Sequence, residues 1–242
     1  VFQEAAKRRD QIKYTNKNFS KSINSFLSRL HWRSHFIQKL EDQPSIEHTS
    51  FIPVYDQIRE KDEEKLEAWI EGKTGVHFID ACMIYLRNYG WINFRMRAML
   101  ASFASYNLWL DWRYFAPRLA ALFTDFEPGI HYSQIQMQSG TTGINTIRMY
   151  NPYKQAMDQD PHGKFIKSQI PEVKNFPPAF FHNPPKKSSN VNLFDNEFQK
   201  EIINVKETAQ YARKKIFDIR KSEEHKILAK NVYLKHGSRG RN

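Results

Sequence analysis

Two short charged pairs, Arg95-Met96-Arg97 and Asp125-Phe126-Glu127, stand in otherwise apolar stretches. A charge withdrawn from water must be paired or hydrogen-bonded. These arginines and acids therefore either neutralise one another or together face a polar ligand. Alternate residues of an extended turn point the same way, which lets Asp125 and Glu127 meet one ligand. The opposing reading is an exposed acidic turn, and the flanking Phe123, Phe126 and Pro128 argue against it. A second constellation, Arg29, Trp32, Arg33 and Phe36, falls at helical offsets of three and four. Cations and aromatics on one face suit phosphates plus a stacked base. The same spacing also describes a core tryptophan beside solvated arginines. His131 could exchange a proton near neutral pH or serve as a structural histidine.

No phosphate-binding glycine loop, catalytic Ser–His pair or metal-ligand spacing is present. Cys82 is the single cysteine, so no intrachain disulfide forms and a reducing, cytoplasmic setting is expected. No run approaches the ~18 apolar residues of a membrane span. The 242 residues carry 37 Lys+Arg against 26 Asp+Glu, a formal charge of +11. That excess points to a polyanionic partner, or to solubility and a basic tail. From Lys206 to Asn242 there are 11 Lys/Arg and 4 Asp/Glu, so the C-terminal stretch supplies most of the excess. Nucleic acid and a solvated helix pair are both consistent with it. The chain opens on Val1 and reads as a fragment or a processed chain.

The elements that must position these groups read as helices. Residues 1–13 form one. Ser22 fits the N-cap of the next, whose buried stripe is Ile23, Phe26, Leu27, Leu30 and Ile37. Asp62 to Glu71 is a short charged helix closed by Gly72. Gly75 and Gly90 bracket another, and Ile92 opens the helix bearing Arg95 and Arg97. A further helix starts near Ala116, with Pro117 in its first turn. Pro128 to Gly143 fits no helix template and reads as a loop, in which Ser139-Gly140-Thr141-Thr142-Gly143 approaches a ligand by backbone. Asn151-Pro152 starts a turn. Pro171 to Asn192 marks a boundary, 194–201 is ambiguous, and Val205–Ile219 and Glu224–Leu234 are helical, ending in a flexible basic stub. The expected organisation is an all-α domain over 1–175 and a basic, partly helical extension over 176–242.

An ordered series of residues resembles the FAD-binding domain of the DNA photolyase and cryptochrome superfamily. It comprises Trp69-X-X-Gly72-X-Thr74-Gly75, Asp80-Ala81, Met83, Gly90-Trp91, Arg95-X-Arg97, Leu110-Asp111-Trp112-Arg113, Asp125-X-Glu127, Arg148-X-X-Asn151-Pro152, Gln155, Asp160-Pro161-X-Gly163-X-Phe165-Ile166 and Pro171-Glu172. The resemblance covers roughly residues 22 to 173 and implies an all-α fold holding FAD. It implies that Arg97 pairs with Asp125 against the flavin, where a carboxylate can accept from the ring N3–H, and that Phe126 and Glu127 join this cofactor set. It assigns His131 to the place facing flavin N5 and Trp112 to the middle of a tryptophan electron chain. It assigns Arg29, Trp32, Arg33, Phe94, Arg95 and Met137 to a flipped-out photoproduct in DNA.

The chemistry so implied is light-driven repair of pyrimidine photoproducts, with the flavin as electron donor. Several positions depart from the repair pattern. Arg29 stands where dimer-repairing members have glutamate, Phe94 where many have asparagine, and Met137 where some have a lesion-stacking tryptophan. Asn93 and Ala98 hold the nearest places to the paired histidines of animal-type (6-4) members. The tryptophans are 32, 69, 91, 109 and 112, so none stands near Ile135, where the member nearest the flavin is expected, and Tyr132 is the closest redox-capable residue. A cryptochrome-like photoreceptor without repair, and a basic nucleic-acid-binding module that has lost its flavin, are the alternatives. The family's antenna domain and phosphate-gripping loop are expected upstream of Val1, so weak FAD retention is expected of this chain. No metal is implied, and the antenna pigment is left open.

Overall fold

A computed structural model describes residues 1–183 and 200–237. Among them every regular element is helical, and the one β feature is an isolated bridge between Glu60 and Leu110. The chain divides into two compact units, Val1–Glu47 with Glu127–Ser133, and His48–Phe126 with Gln134–Asn242.

In the first unit, α1 (Phe2–Ile12) lies against α2 (Lys17–Asp42). Phe2 meets His31 edge-on with ring centroids 4.7 Å apart. The cap of α2 is Asn16, whose side chain accepts from the Phe19 amide at 3.0 Å, so the helix starts six residues before the expected Ser22 cap. Ser22 instead bonds back to the Asn18 carbonyl, the usual mid-helix behaviour of a hydroxyl. Leu27 and Phe36 are the buried residues of α2, while Phe26, expected in the stripe, is exposed. The first turns of α7 (Pro128–Ser139) complete this unit. Gly129 permits their close approach to α2, because a Cβ there would stand 2.8 Å from the Ile37 Cα.

α7 corrects the loop expected over 128–143. Its first turn looks like a turn sequence because Pro128 and Gly129 open it, yet proline lacks only an amide that a first turn leaves unpaired. It has no apolar period because it buries polar residues, with Ser133, Gln136 and Ser139 inside.

The second unit is built on α3 (Glu63–Glu71), α4 (His77–Tyr89), α5 (Phe94–Ser102), α6 (Trp112–Ala120), α8 (Pro152–Gln159), α9 (Lys164–Gln169), α10 (Ala179–His182), α11 (Val205–Lys221) and α12 (Glu223–His236). α3 ends as expected, on Gly72 at φ 73. α6 begins at Trp112 rather than near Ala116, since the Asp111 carboxylate caps it by accepting from the Arg113 amide at 2.9 Å, and Pro117 lies within the helix. Asn151 caps α8, so the expected turn opens a helix. α5 runs into a π-helical turn, Phe103–Asn107, all of it buried. The expected stub and most of the ambiguous 194–201 segment lie outside the described residues.

α4 is enclosed, and its Asp80 is buried. That carboxylate accepts from the Thr74 amide (2.9 Å), the Thr74 hydroxyl (2.6 Å) and the Gly75 amide (2.9 Å). Burial nevertheless pushes its pKa up to about 7. Gly75 sits at φ 78, and a side chain there would run into the Lys200 carbonyl. Beside it Glu201 accepts from the Tyr153 hydroxyl, and burial together with Asp80 raises Glu201 to about 7.

Two outcomes follow. Gly129→Ala forces the backbones of α2 and α7 apart. Its overpacking penalty exceeds the helix preference of alanine, for a net loss of about 1–2 kcal/mol in urea unfolding. The folded chain holds the Glu201 proton more tightly than the unfolded chain. That stabilisation is complete below the ordinary value of 4.5 and is lost as pH rises through about 7. Glu201→Gln keeps the shape and removes this dependence. Its Tm, relative to the parent, is expected to rise by about 2 °C or more between pH 4.5 and pH 8.

Candidate functional site

In the second unit, Asn93 caps α5 by accepting from the Met96 amide at 3.1 Å. The cap fixes the first turn, leaving Phe94 61% exposed and Arg95 exposed while Met96 turns inward. Arg97, half-buried, donates from Nε to the Ile92 carbonyl at 2.7 Å and from Nη2 to Asp125 Oδ2 at 3.0 Å. Its guanidinium lies over the Phe123 ring, 4.2 Å from the centroid, and within 5.9 Å of Trp91. Of the two arginines and two acids that could have neutralised one another, the pair formed in this unit is Arg97 with Asp125.

Asp125 is held by its neighbour. Gly90 ends α4 at φ 68, and its carbonyl accepts from both the amide (2.9 Å) and the hydroxyl (3.1 Å) of Thr124. This double bond pins the segment one residue before the acid. The Asp125 side chain remains 49% exposed, so a carboxylate already charge-paired on one side stays open on the other. Phe126 is exposed. Trp112 is buried, its indole N–H donating to the Ser50 hydroxyl at 2.9 Å. Ile135 is buried and Met137 half-buried on α7.

In the first unit, Glu127 turns both carboxylate oxygens onto the start of α7, accepting from Gly129 N at 3.3 Å and Ile130 N at 2.8 Å. Negative charge at a helix N-terminus is favourable there. His131 is buried, with its amide bonded to the Glu127 carbonyl at 2.8 Å and its ring edge-on to Tyr132 at 5.2 Å. Burial, then the nearby Glu47, raises the Tyr132 hydroxyl above its ordinary pKa. On α2, Arg29, Trp32 and Arg33 are exposed together, Trp32 by 43%. Phe36 backs them from inside, stacked on Trp32 at 5.8 Å and 30°. A half-exposed indole on a basic helix face can stack on an unpaired base while the guanidinium groups meet phosphates.

Gln136, legible in sequence only as one of three alternating glutamines, has a side chain that accepts from the Phe51 amide at 2.8 Å and donates to the Thr49 carbonyl at 3.0 Å. The alternation Gln134-X-Gln136-X-Gln138 was the available signal. The sequence reading passed over Arg59, Tyr55 and His225. Arg59 is buried and donates to the carbonyls of Ser105 (3.0 Å) and Ser139 (2.7 Å), and the Tyr55 hydroxyl meets His225 Nε2 at 2.9 Å. Among the described residues no three His, Cys, Asp or Glu are grouped to hold a metal ion, and no helix is long and apolar enough to cross a membrane.

Comparison with known proteins gives one answer. Residues 26–224 match the family described as the FAD binding domain of DNA photolyase. A deoxyribodipyrimidine photo-lyase of Alkalihalophilus pseudofirmus is 30% identical over 172 residues, 70% of this chain and 36% of that protein. Cryptochrome-2 of Gallus gallus is 27% identical over 194 residues, 77% of this chain and 33% of the other. The crystal structure of the archaeal photolyase from Sulfolobus tokodaii, with two FAD molecules, superposes with a TM-score of 0.72 at 30% identity, covering 87% of this chain and 47% of that one. The chain thus spans about a third of the length of these curated relatives. With the arginine–aspartate pair, the capped α5 and the all-helical fold in place, it belongs to the FAD-binding domain family of DNA photolyase.

Proposed function

We propose that this protein is a photolyase-like flavoprotein that uses FAD and light to repair pyrimidine photoproducts in DNA. The Arg97–Asp125 pair carries this reading. Its residues fit a flavin: a carboxylate fixed by one guanidinium at 3.0 Å and still half-exposed offers a free acceptor to a ring N–H. Bound FAD would supply photoexcited electron donation to the photoproduct. The chain supplies positioning. Arg97 balances the acid's charge and is itself held by the Ile92 carbonyl and the Phe123 ring. Phe126 offers an exposed flat face beside the acid. Glu127 orders the first turn of α7 by capping it, and His131 on that helix is the proton-handling residue. Trp112 is assigned to electron relay, and its bond to Ser50 fixes the indole. On DNA, Trp32 stacks on a flipped base while Arg29 and Arg33 meet phosphates. Phe94, Arg95 and Met137 complete the strand contacts.

A second reading, blue-light sensing without repair, is favoured by particular residues. Arg29 brings a cation where a hydrogen-bond-accepting acid would serve the lesion. Ile135 is buried where a redox-active indole would serve flavin reduction. The organisation proposed is the helical domain over 1–175 with the basic extension over 176–242.

Reconstitution with FAD distinguishes these readings. Asp125→Asn is expected to weaken flavin binding about tenfold, the effect of losing one charge-assisted bond, measured by equilibrium dialysis. The parent, loaded with chemically reduced FAD, is expected to consume a cyclobutane dimer in an oligonucleotide under blue light. Trp32→Ala is expected to lower affinity for that oligonucleotide by about tenfold. Intact dimer after illumination of the reduced, flavin-loaded protein rejects repair. A blue-light change in the flavin spectrum without dimer loss supports sensing.

A further inference from the structure

We propose that α11 carries a second nucleic-acid contact, specific for an unpaired strand and independent of the photoproduct-binding helix. The observation is an outward face that combines aromatic rings with cations at helical spacing. α11 is fixed from inside: Val205, Ala212 and Ile216 are buried, and the Asn107 amide donates to the Val205 carbonyl and the Thr208 hydroxyl, both at 3.1 Å. The opposite face is therefore committed to the outside. There Phe217 is 57% exposed, and Tyr211, six residues earlier and on the other flank of the helix, is 48% exposed.

Each ring is flanked by cations. Lys221 Nζ lies 4.4 Å from the Phe217 centroid, and Lys215 Nζ lies 5.5 Å from that of Tyr211. Arg213 and Lys214 precede Phe217 by four and three residues and share its face, lining a shallow depression with Gln210 and Phe217. Tyr211 is buttressed from below by Trp109, edge-on at 5.3 Å. Asp218 is the one acid among the exposed positions from 210 to 221. Arg220 turns the other way, donating to the Asn145 carbonyl at 2.8 Å.

The chemistry selects the occupant. Exposed rings have a use only where flat partners are available, and in a duplex the bases are already stacked on one another. A single strand offers both unpaired bases for Tyr211 and Phe217 and phosphates for Arg213, Lys214, Lys215 and Lys221. A bilayer fits less well. A helix lying in a membrane surface inserts its apolar face, and the apolar face of α11 is already spent on the protein core. This inference stands apart from the repair reading, because it uses neither the flavin residues nor α2.

Fluorescence anisotropy of the 242-residue chain with an undamaged thymidine 20-mer tests it. Binding is expected to be tighter than to a duplex of equal length. Phe217→Ala is expected to weaken binding about five- to tenfold. The double variant Lys214→Ala, Lys221→Ala is expected to lower the slope of log K against log salt by about 1.4, roughly 0.7 for each phosphate contact of a single strand. Both variants alter exposed side chains, and an unchanged Tm certifies the fold. Trp32→Ala is expected to leave 20-mer binding intact while lowering photoproduct affinity, so the two readings fail separately. Unchanged 20-mer binding in both α11 variants overturns the proposal. So does equal affinity for the duplex, or binding to phosphatidylserine vesicles alone.

Discussion

The ion pair between Arg97 and Asp125 is the interaction on which the functional reading depends, and its strength comes from what surrounds it. A fully exposed pair of this kind contributes little, because water screens it and both side chains lose freedom. Here the guanidinium is half-buried, bonded by a second edge to the Ile92 carbonyl at 2.7 Å and covered by Phe123. Its geometry is thus set before the acid arrives. Asp125 is set in turn by Thr124 clamped on Gly90, the residue whose positive φ closes α4. The site is preorganised through the termination of one helix and the capping of the next, so the charges spend little further entropy in meeting.

Legibility followed the physical origin of each element. α3 was readable because Asp62 and Gly72 are local signals: a carboxylate that accepts from the Lys65 amide and a glycine that takes φ 73. α11 was readable because it keeps a periodic apolar face, with Val205, Ala212 and Ile216 buried. α7 was not, since its inward residues include the polar Ser133, Gln136 and Ser139, and a hydrophobicity period cannot register a helix that buries polar side chains. The start of α6 was hidden by Pro117, a residue more common in a first turn than five positions in. In the site, the need to pair charges singled out two arginines and two acids, and the family resemblance named Arg97 with Asp125 as the pair. The partners of Glu127 were not legible, because an acid before Pro-Gly looks like a turn acid until the following helix is known. Phe36 was read as part of the outward face of α2 and is instead the buried support of Trp32.

Polar burial also holds the second unit together. Arg59 ties the π-helical turn to the end of α7 through the carbonyls of Ser105 and Ser139. It lies 4.9 Å from the centre of the Trp109 ring and 5.6 Å from that of Tyr106. Burial pulls its pKa down from the ordinary arginine value, with Tyr106 and Asp111 opposing. Three mutually dependent elements thus converge on one guanidinium: the π-helical turn, the chain reversal at Trp109 with φ 57, and the residues ending α7. Removing such a group leaves its partner carbonyls unsatisfied in a dry interior, which costs more than the bonds themselves contribute. The arrangement explains why the Ser139–Gly143 segment is ordered by the core rather than held ready for a ligand. Gly140 approaches the Tyr106 hydroxyl, Thr141 donates its amide to the Gln136 carbonyl at 3.1 Å, and its carbonyl accepts from Ile52 at 3.2 Å.

The departures from the repair pattern act on different terms, and this decides how they should be weighed. In the proposed reading, Arg29, Phe94 and Met137 would change contacts to DNA, an affinity and selectivity matter. They leave untouched the acid and guanidinium proposed to hold the cofactor. Ile135, in the proposed reading, would bear instead on how a bound flavin becomes reduced, and not on what reduced flavin can do. On that reading, an aliphatic side chain in that buried place would close one electron path without touching the residues proposed to hold the cofactor. Tyr132, three residues before Ile135 in sequence, would be a poorer starting point: loss of an electron from a phenol is easiest when the proton can also leave, and burial disfavours the charged phenolate. On that reading, dependence on an external reductant would lie in the side chains rather than in the fold, and it would be compatible with either repair or sensing.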